Sequence, residues 1–240
     1  MPHGKIAFAL DYPSLAEARA GAAAVKGSVG VFKVGLELFV KEGPAAFSIA
    51  GEAGGDLFAD LKLHDIPETV ERAVASVATS GARFVTLHAA GGTAMLRRAV
   101  ERARRDTGGR LVVLAVTVLT SLDDADLAAQ GIDGHAEKHA LRLAHVAFDA
   151  GVRGFVCSPA EVRAMRDELG PEVTLVTPGV RPAGSATHDQ KRVATAADAI
   201  ANGADFVVVG RPIRDAPDPR EAARSIAAEI GQGLARRTKA

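Results

Sequence analysis

Residues 60–65 read DLKLHD and set Asp60, Lys62, His64 and Asp65 within six positions, after the apolar run DLF and shortly before Pro67. Strand alternation places Asp60 and Lys62 on one face and Leu61 and Leu63 on the other. Ionised groups are costly to bury unless they are paired. The stretch is therefore either a solvated strand end with a fortuitous ion pair or a catalytic charge cluster. A second lysine, Lys33, sits in VFKVG between Phe32 and Val34. An inward lysine in an apolar strand needs a counter-charge, and Asp60 on an adjacent strand supplies one. Lys33, Asp60, Lys62 and Asp65 then form a network in which each charge is compensated and all remain ionised when partly buried. Such an array can hold an ammonium beside a substrate carbon as a proton donor, or press a carboxylate against a substrate carboxylate. Four such charges on two neighbouring strands favour function over accident.

The elements that must position these groups are legible as apolar runs separated by helical segments. Strands are expected at 5–10, 31–35, 56–63, 84–89, 111–119, 154–158, 173–180 and 206–211. Helical segments lie between them, several ending in Gly, and a last helix is expected over 218–237. The tail after Gly233 is short and basic and is expected to fray. Near-continuous apolar strands alternating with helices indicate a parallel sheet covered on both faces. Eight such units predict an α/β fold, a (β/α)8 TIM barrel, as a single domain over 1–240. A doubly wound open sheet is the alternative, but the first strand runs into DYPS rather than a Gly-rich phosphate loop.

The 240 residues are 48% hydrophobic, and 29 basic residues balance 29 acidic ones. That balance gives no hint of a nucleic-acid or membrane-surface partner. Cys157 is the single cysteine, which excludes a disulfide framework. The N-terminus MPHGKIAFALDYP lacks the apolar core of a signal peptide, and no apolar run approaches a membrane span. A cytoplasmic protein is expected.

A barrel gathers its active-site groups at the C-terminal ends of its strands. Asp11, Lys33, Asp60, Lys62, Asp65, His88, Thr120, Ser121, Arg181, Gly210 and Arg211 all fall there. The loops after strands seven and eight are the usual phosphate site of this fold, and TPGVRP and VVVGRPI supply Arg181 and the pair Gly210-Arg211. Glycine lets backbone N–H groups approach an oxyanion, and arginine grips phosphate with paired donors. Between them GSATHDQKR, 184–192, has the composition of a closing lid. Thr120 and Ser121 either read a polar ring or cap a helix. His135 and His139, four apart with Glu137 between them, lack the zinc-protease order and a third ligand, so a solvated helix face is expected. Cys157 is expected in the core. His64 and His88 either line the mouth or pack, and RRAVERARR reads as a solvated helix face.

In order along the chain, IAFALD, FKVG, DLKLHDIPETV, HAAGG, VTVLTS, TPGVRP and VVVGRPI closely resemble the orotidine 5'-monophosphate decarboxylase family, in its bacterial short-chain type. The filled DxKxxD pattern is a specific signature. The resemblance implies metal-free and cofactor-free decarboxylation of orotidine 5'-monophosphate to UMP and CO2. By that resemblance Lys62 protonates C6 of the pyrimidine and Asp60 faces the leaving carboxylate. Lys33 completes the array and contacts the ribose. Asp65 enters the partner's site across a homodimer interface, with Ile66 and Thr69 on the same crossing segment. Asp11 binds ribose hydroxyls, and Thr120 and Ser121 face the pyrimidine. Arg181, Gln190, Gly210 and Arg211 hold the phosphate, with Gln190 on the closing loop.

Two rivals stand beside this reading. A sister group of phosphosugar decarboxylases and aldolases shares the DxKxxD barrel but uses Mg2+, with an acidic residue at the position of Lys33. An ammonium there repels a divalent cation. The other rival is a barrel that only binds a nucleotide or phosphosugar, for which a charged array beside a bound carboxylate brings little gain.

Overall fold

The computed structural model describes residues 1–181 and 194–238. The chain begins with β1 (Ile6–Ala9), α1 (Leu15–Ala24), β2 (Val31–Val34), α2 (Leu36–Glu42), α3 (Ser48–Ala53), β3 (Asp56–Leu63) and α4 (Pro67–Ala78). It continues through β4 (Phe84–His88), α5 (Gly92–Thr107), β5 (Val112–Val116), α6 (Asp124–Ala129), α7 (Ala136–Asp149), β6 (Gly154–Val156) and α8 (Val162–Leu169). It ends with β7 (Thr174–Thr177), α9 (Ala196–Ala201), β8 (Phe206–Val209), α10 (Arg211–Arg214) and α11 (Pro219–Arg237). Neighbouring strands are parallel throughout, and β8 pairs back onto β1. The sheet is thus a closed (β/α)8 barrel, and the open-sheet alternative is excluded. No helix among the described residues is long and apolar enough to cross a membrane.

Local chemistry explains where several helices begin. Ser14 caps α1 by accepting from the Glu17 N–H, and Asp218 caps α11 by accepting from the Glu221 N–H. Asp123 and Asp126 form a capping box at α6. Capping of α6 therefore falls to Asp123, not to Thr120 or Ser121.

One apolar layer lies between sheet and helices, and a second fills the barrel interior. The interior layer is Ala7, Val31, Phe58, Phe84, Leu114, Val176 and Phe206. Phe84 packs edge-to-face against Phe58 and Phe206, with centroids 5.8 and 5.2 Å apart. This layer plugs the barrel below its C-terminal mouth. Two residues further along three of these strands stand Lys33, Asp60 and Thr86. The two-residue strand period thus converts an apolar floor into a polar site one layer above it.

Several strands are shorter than their apolar runs suggest. β5 stops at Val116 instead of 119, β7 at Thr177 instead of 180, and β8 at Val209 instead of 211. The residues beyond leave the hydrogen-bond ladder to line a cavity, and Arg211 opens α10. The last helix spans the expected stretch, but the tail after Gly233 is helical rather than frayed. α11 continues past Gly233 to Arg237, and Gly233 is buried against α9, where a Cβ would lie 2.5 Å from the Ala197 carbonyl oxygen.

Candidate active site

A cavity of about 340 Å3 opens at the C-terminal mouth of the barrel. Asp11, Lys33, Asp60, Lys62, Thr120, Arg181, Gly210 and Arg211, drawn from strand ends far apart in sequence, all line it.

The charged groups form a continuous chain. Asp11 Oδ1 lies 3.4 Å from Lys33 Nζ, which lies 3.2 Å from Asp60 Oδ2. Asp60 Oδ1 in turn accepts from Lys62 Nζ at 2.8 Å. Burial works against a charged Lys33, but the carboxylates of Asp60 and Asp11 outweigh it and hold its pKa above the ordinary lysine value. Burial likewise opposes a charged Asp60, and the ammonium groups of Lys33 and Lys62 outweigh it, keeping its pKa below the ordinary carboxylate value. Sign alternation is therefore what keeps these groups ionised inside the barrel. Space is equally tight at Gly35, where a Cβ would sit 3.0 Å from Lys33 Nζ and 3.2 Å from Asp11 Oδ1.

The backbone beneath Lys62 is unusual. Its φ is +49°, and no other non-glycine residue has a positive φ among those described. A left-handed conformation costs a residue with a Cβ about 1–2 kcal/mol, and strain of this kind concentrates at functional sites. It coincides with a break in β3–β4 pairing between Ala59 and Leu63. The Lys62 N–H donates to Thr86 Oγ1 at 2.9 Å, and the Thr86 hydroxyl donates to Asp60 Oδ1 at 2.9 Å.

The cavity lining also carries a cationic group of residues, which adjoins the Asp11 end of the array. Gly179, with φ +80°, turns the chain after β7 and delivers Arg181, which is buried. Gly210 precedes α10, and both Arg211 and Arg214 of that helix face the cavity. Arg214 donates to the Asp11 carbonyl at 2.9 Å and pairs with Asp215 at 2.6 Å, tying the β8 loop to the β1 loop. The lining also includes an apolar wall of Val116, Val118, Leu119, Val156 and Val208.

Other expected residues lie elsewhere. Asp65, Ile66 and Thr69 are exposed and stand outside the cavity of their own chain. The Asp65 carboxylate accepts from the Ile66 N–H at 2.6 Å, so within one chain the array runs Asp11–Lys33–Asp60–Lys62 without Asp65. Ser121 is exposed and does not line the cavity, whereas its neighbour Thr120 does. Gln190, together with the whole 184–192 lid stretch, lies outside the described residues. His64 and His88 stack loosely with ring centroids 5.4 Å apart, outside the cavity lining. Burial, with help from His64 and Lys62, pushes the pKa of His88 down, so its ring is neutral near pH 7. His135 pairs with Asp124 at 2.7 Å. Cys157 is buried as expected but also touches the cavity wall.

Two polar residues escaped the sequence reading. Arg214 carried a signal, since RPIR places it three residues after Arg211 at helical spacing. Thr86 carried none, because threonine in a strand is ordinary β-propensity.

A closed parallel barrel whose C-terminal mouth joins a buried ammonium–carboxylate array to an arginine-lined end defines a (β/α)8-barrel enzyme. The chain belongs to the orotidine 5'-phosphate decarboxylase / HUMPS family, whose model matches residues 4–226. It is 56% identical over 229 residues to the orotidine 5'-phosphate decarboxylase of Anaeromyxobacter sp. strain K, covering 95% of this chain and 99% of that one. It is 53% identical over 226 residues to the orotidine 5'-phosphate decarboxylase of Thermobifida fusca, covering 94% and 95%. The crystal structure of orotidine 5'-phosphate decarboxylase from Lactobacillus acidophilus superposes with a TM-score of 0.83 at 33% identity, covering 94% of this chain and 98% of that one.

Proposed function

We infer that this chain decarboxylates orotidine 5'-monophosphate to UMP and CO2, the last step of de novo pyrimidine nucleotide synthesis. The observation that carries the reading is the Asp11–Lys33–Asp60–Lys62 array at the barrel mouth, in a chain of this family.

The reaction breaks the bond between C6 and the carboxylate and leaves an electron pair on C6, in the plane of the ring. No conjugated system absorbs that pair, so the site must supply the stabilisation. Lys62 Nζ stands beside C6, stabilises the developing negative charge and transfers a proton to it. The neutral amine regains its proton from solvent after CO2 and UMP leave. Asp60 faces the substrate carboxylate, and the repulsion between them is relieved as neutral CO2 departs. Preorganised charge of this kind is commonly the largest contribution to catalysis. Lys33 holds Asp60 and, with Asp11, binds the ribose. Thr120 reads the pyrimidine, with Ser121 approaching when the site closes. Arg181, Gly210 and Arg211 hold the phosphate, joined by Gln190. Phosphate binding is remote from the reacting bond, and its free energy assembles the site around the substrate.

A homodimer completes the site, with the partner's copy of the Asp65–Thr69 segment entering the cavity. The exposed apolar side chains of Leu36, Val40 and Ile66, at 50%, 80% and 67% exposure, support such an interface. The chemistry needs neither metal nor cofactor. An Mg2+ site at this position is disfavoured by Lys33, whose ammonium fills the space between two carboxylates that a cation would otherwise bridge. A nucleotide-synthesising enzyme with a single buried thiol belongs in the cytoplasm.

The test is turnover by EDTA-treated protein, followed as loss of the ultraviolet absorbance of orotidine 5'-monophosphate, beside Lys62→Ala. Rapid turnover by the parent and loss of at least about 1,000-fold in the variant are expected, since Lys62 supplies both charge and proton. A folded parent with no turnover sinks the reading. Activity that appears only with Mg2+ and a phosphosugar would assign the chain to the sister branch.

A further inference from the structure

We propose that Thr86 is the positioning residue of the charged array, its one hydroxyl holding both the left-handed backbone of Lys62 and the carboxylate of Asp60. The inference rests on the decarboxylase reading and adds a residue that never touches the substrate.

The register between β3 and β4 supports it. Ala59 pairs with Val85 and Leu63 with Leu87, so β3 spends Asp60, Leu61 and Lys62 where β4 spends only Thr86. A single residue thus faces the whole catalytic bulge. Within a bulge, ladder hydrogen bonds are lost. Here the Lys62 N–H is rescued by a side chain, donating to Thr86 Oγ1 at 2.9 Å. A hydroxyl has one proton to give and lone pairs to receive. By accepting from Lys62 it leaves its proton for Asp60 Oδ1, also 2.9 Å away. That oxygen is the one bonded to Lys62 Nζ at 2.8 Å. One oxygen atom therefore fixes the main chain below the ammonium and the carboxylate beside it.

Thr86 has 0% exposure, so water does not compete for either bond. It is absent from the cavity lining, which separates it from groups that contact substrate. Valine has the same shape without the hydroxyl. In Thr86→Val the Lys62 N–H and one lone pair of Asp60 lose their partner together. Lys62 then has less to keep it in a conformation that costs free energy, and its ammonium drifts from the reacting carbon.

The experiment compares parent, Thr86→Val and Thr86→Ser, measuring kcat with orotidine 5'-monophosphate and the Kd of UMP. For Thr86→Val we expect kcat to fall about tenfold or more, as loss of hydrogen bonds to charged groups predicts, with Kd for UMP within about threefold of the parent. Thr86→Ser, which keeps the oxygen, should return kcat to within about threefold of the parent. Where Thr86→Val does not fold, Thr86→Ser against Thr86→Ala makes the same comparison one oxygen apart. An unchanged kcat without the hydroxyl overturns the inference while leaving the decarboxylase reading intact. So does an equal loss of kcat and UMP affinity, or a serine variant as slow as valine. An inactive parent overturns both readings.

Discussion

Asp60 and Lys33 have pKa values displaced in opposite directions, and the displacement sets a pH window. Asp60 is held below its ordinary 3.8, so its contribution is complete above that value and is lost as pH falls through the lowered pKa. Lys33 is held above its ordinary 10.5, so its contribution is complete below that value and is lost as pH rises through the raised pKa. Between those limits neither changes charge. His88, held below its ordinary 6.5, is already neutral at pH 7. We therefore expect kcat at saturating substrate to be flat from about pH 6 to 9. By contrast kcat/KM should decline on the acid side near pH ~6, where the substrate phosphate dianion takes up one proton and becomes a monoanion. Steady-state kinetics across that range separate the two. A bell-shaped kcat centred near neutrality would show that a group outside the array controls the chemistry.

At the scale of elements, α11 packs closely against α9 on the outside of the closed barrel. Gly233 lets the two helices touch, and a methyl there would meet the Ala197 carbonyl at 2.5 Å and the Ile200 side chain at 2.9 Å. Gly233→Ala should cost about 1–3 kcal/mol of stability through overpacking, read from urea unfolding, with kcat per folded molecule unchanged. An unaltered unfolding midpoint would mean that α11 shifts freely. This contact also shows where sequence reading ends. The strand starts were legible because apolar β-rich runs are long and uninterrupted. Strand ends were not, because Val118 and Leu119 are as apolar as the strand before them yet line the cavity wall. Alternation correctly put Asp60 and Lys62 together, but the bulge that turns Lys62 to φ +49° leaves no mark in DLKLHD, and its hydrogen-bond partner Thr86 lies across the strand pair. Charged residues at strand ends announced the site. Thr120 and Gly210 were legible too, whereas Arg214, Thr86 and the apolar wall were not.

At the scale of the whole molecule, the open matter is where Asp65 acts. β2 and β3 are neighbours, so α2 with Leu36 and Val40 and the β3–α4 turn with Asp65 and Ile66 emerge side by side at the rim. An isologous pairing of two copies through this rim would bury the exposed apolar side chains and carry Asp65 towards the other cavity. The arrangement makes a prediction that no single variant can make. Lys62→Ala removes the proton donor from its own cavity, while Asp65→Asn, under this reading, damages only the partner's. Each purified variant alone should be nearly inactive. When the two are mixed and allowed to exchange subunits, each mixed dimer holds one cavity with both lesions and one with neither. Random exchange then restores about a quarter of all cavities to parental composition, and activity should rise to about that fraction. If Asp65 instead served its own cavity, each chain of the mixed dimer would carry its own lesion and no activity would return. Sedimentation of the mixture under assay conditions confirms that dimers are present, so a flat result assigns Asp65 to its own chain rather than to failed exchange once a tagged subunit shows that mixing occurred.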